Sequence, residues 1–168
     1  MIATPRTAPL GGLIRAVIGL GSNVGDRIGM LRSAVLRLPN VLARSPVYET
    51  APVGPPQPDY LNAAVLVDMT QTPLELFESM LTIEQALGRI RRERWGPRTI
   101  DLDLLFIEGQ TVSDPRLVVP HPHLHERAFA LLPLLDLLPD ARDPRTDQLV
   151  SGLTIDRAGV RKTELSLV

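Results

Sequence analysis

The sequence predicts an α+β fold, a ferredoxin-like βαββαβ sandwich with an additional C-terminal helix, its helices packed on one face of a largely antiparallel sheet. Three observations lead there. Short apolar runs alternate with segments whose apolar residues recur every three or four positions. Glycine- and proline-rich stretches separate these elements. The fourth strand carries two acids on an otherwise apolar alternation.

Residues 1–14 carry Pro5, Pro9, Gly11 and Gly12 without an apolar period, and read as a flexible N-terminal extension. Residues 15–168 are expected to form a single domain, with the tail after Asp140 left open. Ala16 to Leu20 is a short apolar strand ending at Gly21-Ser22-Asn23. Leu31, Ala34, Val35 and Leu38 follow at helical spacing. Val41 to Glu49 and Leu61 to Met69 are strand-like, joined by a loop holding Pro52, Gly54, Pro55, Pro56 and Pro58, too long for a tight hairpin. Thr72-Pro73-Leu74-Glu75 supplies an N-cap, a proline at the first helical position and a capping-box acid. Leu76, Met80, Ile83 and Leu87 continue that helix to a stop at Gly88. Thr99 to Ile107 alternates as a strand, Ile100, Leu102, Leu104 and Phe106 on one face, Asp101 and Asp103 on the other. A further helix is expected from Leu124 to Leu132, broken by Pro133, and the polar tail shows only weak periodicity.

The 168 residues are 44% hydrophobic, enough to bury a core. With no cysteine, disulfides and thiolate sites are excluded. The N-terminus lacks a signal-peptide core and no apolar run is long enough to span a bilayer. A cytoplasmic protein without membrane contact is the expectation. The formal charge of -1 conceals local basicity, because five arginines fall between Arg89 and Arg98.

Asp101 and Asp103 lie on one strand face about 7 Å apart. Carboxylate oxygens at that spacing can converge on a hard cation, which favours magnesium. Alone, two such aspartates are common on exposed strands. Arg89, Arg91, Arg94 and Arg98 crowd the connection just before them, and guanidinium groups suit bidentate contact with phosphate oxygens. Acids and arginines together favour a metal-bound polyphosphate over a solvated basic loop. Trp95 lies inside the arginine run, where a flat ring can border a heterocycle or fold back over the core. The Walker A pattern is missing, so a P-loop kinase is excluded. His121, His123 and His125 suggest zinc by spacing. Pro122 interrupts them and no cysteine assists, so a single histidine reaching phosphate is the better reading.

With these residues in place, the chain resembles the 6-hydroxymethyl-7,8-dihydropterin pyrophosphokinase family over residues 15 to about 140. The likeness rests on Gly19-Leu20-Gly21-Ser22-Asn23, on Tyr48-Glu49-Thr50 with Pro52 and Gly54, and on Pro58-Asp59-Tyr60-Leu61-Asn62. The longest motifs are GRIRRERWGPRTIDLDLL from Gly88 and VPHPHLHERAFALLPL from Val119. The resemblance implies pyrophosphoryl transfer from MgATP to the pterin hydroxymethyl oxygen, with AMP leaving. It implies two magnesium ions on Asp101 and Asp103, and phosphate clamping by Arg91 and Arg98. It adds Arg89, Arg94, His121 and Arg127 as further ATP contacts. The pterin would stack between Tyr60 and Phe129, bond to Asn62 and to backbone near Thr50, and be bordered by Val53 and Trp95. Residues 51–58 and 89–98 would act as lids over the two substrates. Ala51 stands where some relatives have proline, and Val118 where others are polar. ATP and the pterin are the expected partners, with no nucleic acid, and a monomer is the expected state.

Two rivals share parts of this pattern. An RNA-recognition module has the same element order, but it stacks bases on aromatic residues of its central strands. Ala16 to Leu20 and Ala63 to Met69 carry none. A metal-dependent phosphohydrolase would use the same aspartates and histidines without needing a pterin.

Overall fold

A computed structural model describes residues 12–52, 54–88 and 99–168. The first strand, β1 (Arg15–Ser22), leads into α1 (Arg27–Arg37), whose first turn is capped by Asp26 accepting from the Gly29 amide at 3.1 Å. Leu31, Ala34 and Val35 point inward, as the spacing predicts. The expected second strand is two, β2 (Val41–Arg44) and β3 (Tyr48–Thr50). Pro46 has no amide hydrogen to give a ladder, and the break falls at it. The buried Ser45 hydroxyl accepts from the Ala64 amide at 2.8 Å in the gap. Both pieces pair antiparallel with β4 (Tyr60–Asp68).

Helix α2 (Pro73–Ala86) has the capping box read from the sequence, with Thr72 and Glu75 satisfying each other's amides. It ends at Gly88, whose φ of +82° suits glycine. Next comes β5 (Asp101–Ile107), then a small antiparallel pair that the sequence reading did not anticipate, β6 (Val112–Asp114) with β7 (Leu117–Val119). The expected helix from Leu124 proves to be a short 3-10 turn, Leu124–Glu126, followed by α3 (Ala128–Leu137). That helix runs through Pro133 rather than stopping there. An interior proline costs about 3 kcal/mol, which burial of Leu131 and Leu134 offsets at about 1.5–3 kcal/mol each. In the tail, β8 (Val160–Lys162) adds an edge strand to β3.

The main sheet has the order β5-β1-β4-β3-β8, with β2 also on β4. Its neighbours are antiparallel. Helices α1 and α2 cover one face over a core containing Ala16, Ile18, Leu20, Leu31, Leu76 and Met80. The expectation of helices on one face holds for these two and fails for α3. Its Leu131 and Leu134 pack on the other face against Val17, Ala64, Leu66 and Phe106. The placement of Phe106 is a second correction. The pairing of β5 with β1 shifts between Val17 and Ile18, so Leu105 is an extra residue and both Leu105 and Phe106 join the α3 side. The reading that put Phe106 with Ile100, Leu102 and Leu104 assumed unbroken alternation.

Among the described residues, no helix is long and apolar enough to cross a membrane.

Candidate active site

On the α3 side the middle of the sheet lacks bulk. Gly19 and Gly21 of β1 are flanked by Ala64 and Asn62 on β4, and by Asp103 and Asp101 on β5. A Cβ on Gly21 would lie 2.9 Å from Asn62 Oδ1, and one on Gly19 would lie 2.9 Å from Leu105 Cδ1. The glycines therefore form a floor that side chains would fill. Above it opens a cavity of about 750 Å³, within the range of small-molecule sites.

At the β5 edge of this cavity, the register directs Asp101 and Asp103 outward over Gly21 and Gly19, as the alternation predicts. Half-buried His121 stands beside them, its Nε2 4.0 Å from Asp103 Oδ1. Its Nδ1 accepts from the His123 amide at 3.2 Å, so the neutral ring carries its proton on Nε2, toward the acid. Burial, reinforced by the nearby Arg127 and His123, pushes the His121 pKa down to about 4. The ring is thus neutral at physiological pH and offers an N–H. Arg127 lines the same end and sits 5.8 Å from the Phe129 ring centroid.

Thr50, Tyr60 and Asn62 line the cavity from β3 and β4, and Phe129 lines it from α3. Asn62 Nδ2 donates to the Thr50 hydroxyl, and both residues are buried. That bond fixes which way the amide points. Tyr48 lies on the same face of β3 and donates from its hydroxyl to Asp136, tying the sheet to α3 behind the cavity. Burial and that carboxylate push the Tyr48 phenol well above the ordinary tyrosine range. Asn62 and Asp101 are two strand spacings apart, about 10 Å.

Eight residues singled out from the sequence therefore meet in one cavity: Thr50, Tyr60, Asn62, Asp101, Asp103, His121, Arg127 and Phe129. Val53, Arg89, Arg91, Arg94, Trp95 and Arg98 lie outside the described residues. His123 also reaches the rim, whereas exposed His125 pairs with Glu126 at 3.4 Å. Among the described residues no group of three or more His, Asp or Glu side chains could hold a metal, so the histidine trio forms no zinc centre. Two carboxylates over a glycine floor could hold a hard divalent cation, which favours oxygen ligands.

Sequence reasoning missed the outer wall. Asp156, Ala158, Gly159 and Val160 line the cavity from the tail. The segment has no apolar period, and long-range contacts, its backbone pairing with β3 first among them, place it there. Gly19-Leu20-Gly21, which reads as a turn in the sequence, lies within β1 instead, where its two glycines make the floor.

Comparison with known proteins places the same residues in a wider setting. The chain is 52% identical over 134 residues to the 2-amino-4-hydroxy-6-hydroxymethyldihydropteridine pyrophosphokinase of Methylorubrum extorquens, covering 76% of this chain and 85% of that one. It is 42% identical over 143 residues to the protein of the same name from Synechocystis, covering 82% and 73%, and 43% over 152 residues to that of Bacillus subtilis, covering 87% and 88%. Among solved structures, an HPPK-DHPS in complex with substrates superposes over 84% of this chain with a TM-score of 0.67 at 14% identity. A Plasmodium falciparum HPPK-DHPS with pterin and p-hydroxybenzoate gives 0.66 at 16%. This chain spans 42% of each of those two longer chains, and at such identity the likeness concerns the fold. Residues 17–139 match the family described as 7,8-dihydro-6-hydroxymethylpterin-pyrophosphokinase (HPPK). With the motif-bearing residues gathered in one cavity on the fold shared with those structures, the chain belongs to the 7,8-dihydro-6-hydroxymethylpterin-pyrophosphokinase family.

Proposed function

We propose that this pyrophosphokinase, an enzyme of folate biosynthesis, transfers the terminal pyrophosphoryl group of ATP to the hydroxymethyl oxygen of 6-hydroxymethyl-7,8-dihydropterin, releasing AMP. The observation that carries this reading is the register of β1, β4 and β5. It sets Asp101 and Asp103 beside a glycine floor whose far side is bounded by Asn62 and Tyr60. Acids that suit a metal-bound triphosphate and a pocket that suits a flat heterocycle thus share one cavity.

In the reaction, the hydroxymethyl oxygen attacks the β-phosphorus. The bond from that phosphorus to the oxygen bridging the α-phosphate breaks, its electron pair leaves with AMP, and the hydroxyl proton passes to solvent. Asp101 and Asp103 would hold magnesium, which when bound neutralises charge on the triphosphate. We take two ions as the working number. His121 is a donor rather than a base, since its neutral ring presents Nε2–H toward the acid end. Arg127 adds a fixed positive charge there, and Arg89, Arg91, Arg94 and Arg98 are assigned the remaining phosphate contacts, Arg91 and Arg98 as the clamp. Tyr60 and Phe129 are assigned to the two faces of the pterin, Asn62 and the Thr50 backbone to its polar edge, and Val53 and Trp95 to its border. Orientation and electrostatics supply the acceleration. The same reading takes the cytoplasm as the compartment and a monomer as the acting species.

The test is incubation with MgATP, with and without 6-hydroxymethyl-7,8-dihydropterin, following AMP and pterin diphosphate. Pterin-dependent AMP is expected. AMP or phosphate release that ignores the pterin would replace this reading with a hydrolase.

A further inference from the structure

On the face of β3 turned away from the cavity, Glu49 joins three segments. Its side chain is only 15% exposed. Arg27, at the start of α1, donates from Nη1 to Glu49 Oε2 at 3.1 Å and to the Asp59 carbonyl at 3.0 Å. Arg161 of β8 donates to the other carboxylate oxygen. Each point of attachment is next in sequence to a residue lining the cavity: Glu49 to Thr50, Asp59 to Tyr60, Arg161 to Val160. These three are also register partners in adjacent strands, Tyr60 with Thr50 and Thr50 with Val160. The Ala51 amide continues the seam by bonding to the Gly159 carbonyl at 3.3 Å.

The tail is held on its far side as well. Thr163 bonds to the Val47 carbonyl through both its amide and its hydroxyl, Arg32 bonds to the Ser166 carbonyl, and Leu167 is buried in the core under α1. One end of the segment is thus anchored, and the other, Asp156 to Val160, stands as the outer wall of the cavity. Between the two lies the Glu49 carboxylate.

We infer that the Arg27–Glu49–Arg161 clamp sets the spacing of Thr50, Tyr60 and Val160 from behind the sheet, making Glu49 and Arg161 positioning residues for the pterin acceptor. This rests on the proposed function, since it assigns that end of the cavity to the pterin. The clamp touches no substrate. It governs how closely the wall strand approaches the stacking residues, and leaves the Asp101 and Asp103 end unaffected. A largely covered carboxylate between two guanidinium groups is suited to this, because its removal leaves Arg27 of α1 and Arg161 of β8 without the group that joins them.

The experiment is steady-state kinetics on the full chain, with each substrate varied in turn. Glu49→Ala is expected to raise the pterin KM roughly tenfold while the ATP KM stays within about twofold. Arg161→Ala is expected to act in the same direction by about threefold, and Arg161→Lys, which keeps the cation, to recover most of that loss. The double variant Glu49→Ala/Arg161→Ala should fall short of the product of the single effects, since both remove one interaction. Melting temperatures recorded alongside separate a folding defect, which lowers active enzyme and moves neither KM. Unchanged pterin KM values, or pterin and ATP KM values rising together, overturn the inference while leaving the activity standing. A wild-type chain without pterin-dependent AMP removes the proposed function and this inference with it.

Discussion

The two faces of the central sheet differ in what they leave uncovered. Along β1, Ala16, Ile18 and Leu20 turn toward α1 and α2, and their neighbours close over them. The alternate residues are Val17, Gly19 and Gly21, and only Val17 is covered by the α3 core. One strand thus serves as dry core on one side and as a binding floor on the other. The difference comes from helix coverage. Two helices cover the closed face, whereas α3 packs over Val17, Ala64, Leu66 and Phe106 and leaves Gly19 and Gly21 facing the cavity. At Gly19 and Gly21 glycine keeps the surface low, and polar groups from β4 and β5 face the cavity.

The largest expected effect tests the open face. Asp101→Ala and Asp103→Ala should each lower turnover at least a thousandfold, about 4 kcal/mol in the barrier. The melting temperature should shift little, because both side chains face the cavity. Near-normal AMP formation in either variant would withdraw the metal assignment. On the closed face the pattern should invert. Leu31→Ala or Leu76→Ala removes a fully buried side chain and should cost about 2–5 kcal/mol of stability in denaturant unfolding. KM values should not change under conditions where the protein is folded. A change in KM without a loss of stability would contradict the division between faces.

Gly21→Ala probes the floor itself. Its Cβ would meet Asn62 Oδ1 at 2.9 Å and push the amide off Thr50. A loss of roughly tenfold in kcat/KM is expected, about 1.4 kcal/mol. Stability should change by less than about 1 kcal/mol, because the stiffer unfolded chain offsets part of the strain. Equal activity would show that the floor tolerates bulk. The smallest effect belongs to the tie behind the cavity. Tyr48→Phe deletes the bond to Asp136 and should cost about 1 kcal/mol. The folded protein holds the Tyr48 proton more tightly than the unfolded chain does. As pH rises past the ordinary phenol value near 10, the unfolded chain loses that proton first, and the stability contributed by the tie declines. Unfolding free energies across that range should fall more steeply for the wild type than for Tyr48→Phe. Parallel curves would refute the assignment.

The contrast between faces was legible in the sequence where local chemistry sets the structure. Thr72-Pro73-Leu74-Glu75 defined the start of α2 because caps depend on adjacent residues. Asp101 and Asp103 stood out because polar alternation in an apolar run marks one face. The other half of β5 was not legible. Leu104, Leu105, Phe106 and Ile107 are all apolar, so their composition is the same with or without a bulge, and only pairing with β1 reveals it. The break of the second strand at Pro46 was not read, because Val41 to Glu49 is strand-like on either side of it. The outer wall was invisible for a different reason. Val160-Arg161-Lys162 has one apolar residue, and β8 exists through backbone bonds to β3 and anchors at Thr163 and Leu167, all of them long-range contacts. The short 3-10 turn before α3 likewise depends on where the chain leaves His121, whose amide is held by the Leu105 carbonyl at 2.9 Å.

Leu105 has a consequence for how such a site changes size. As the surplus residue in its strand, Leu105 places its side chain against Gly19, between Leu104 on the α1–α2 side and Phe106 on the α3 side. Cavity depth and strand phase thereby become independent variables. A smaller or larger residue at this one position would deepen or fill the floor, while Asp101 and Asp103 keep their aim and Phe106 stays in its core. The bulge acts as an adjustable shim between a fixed acidic edge and a fixed hydrophobic anchor.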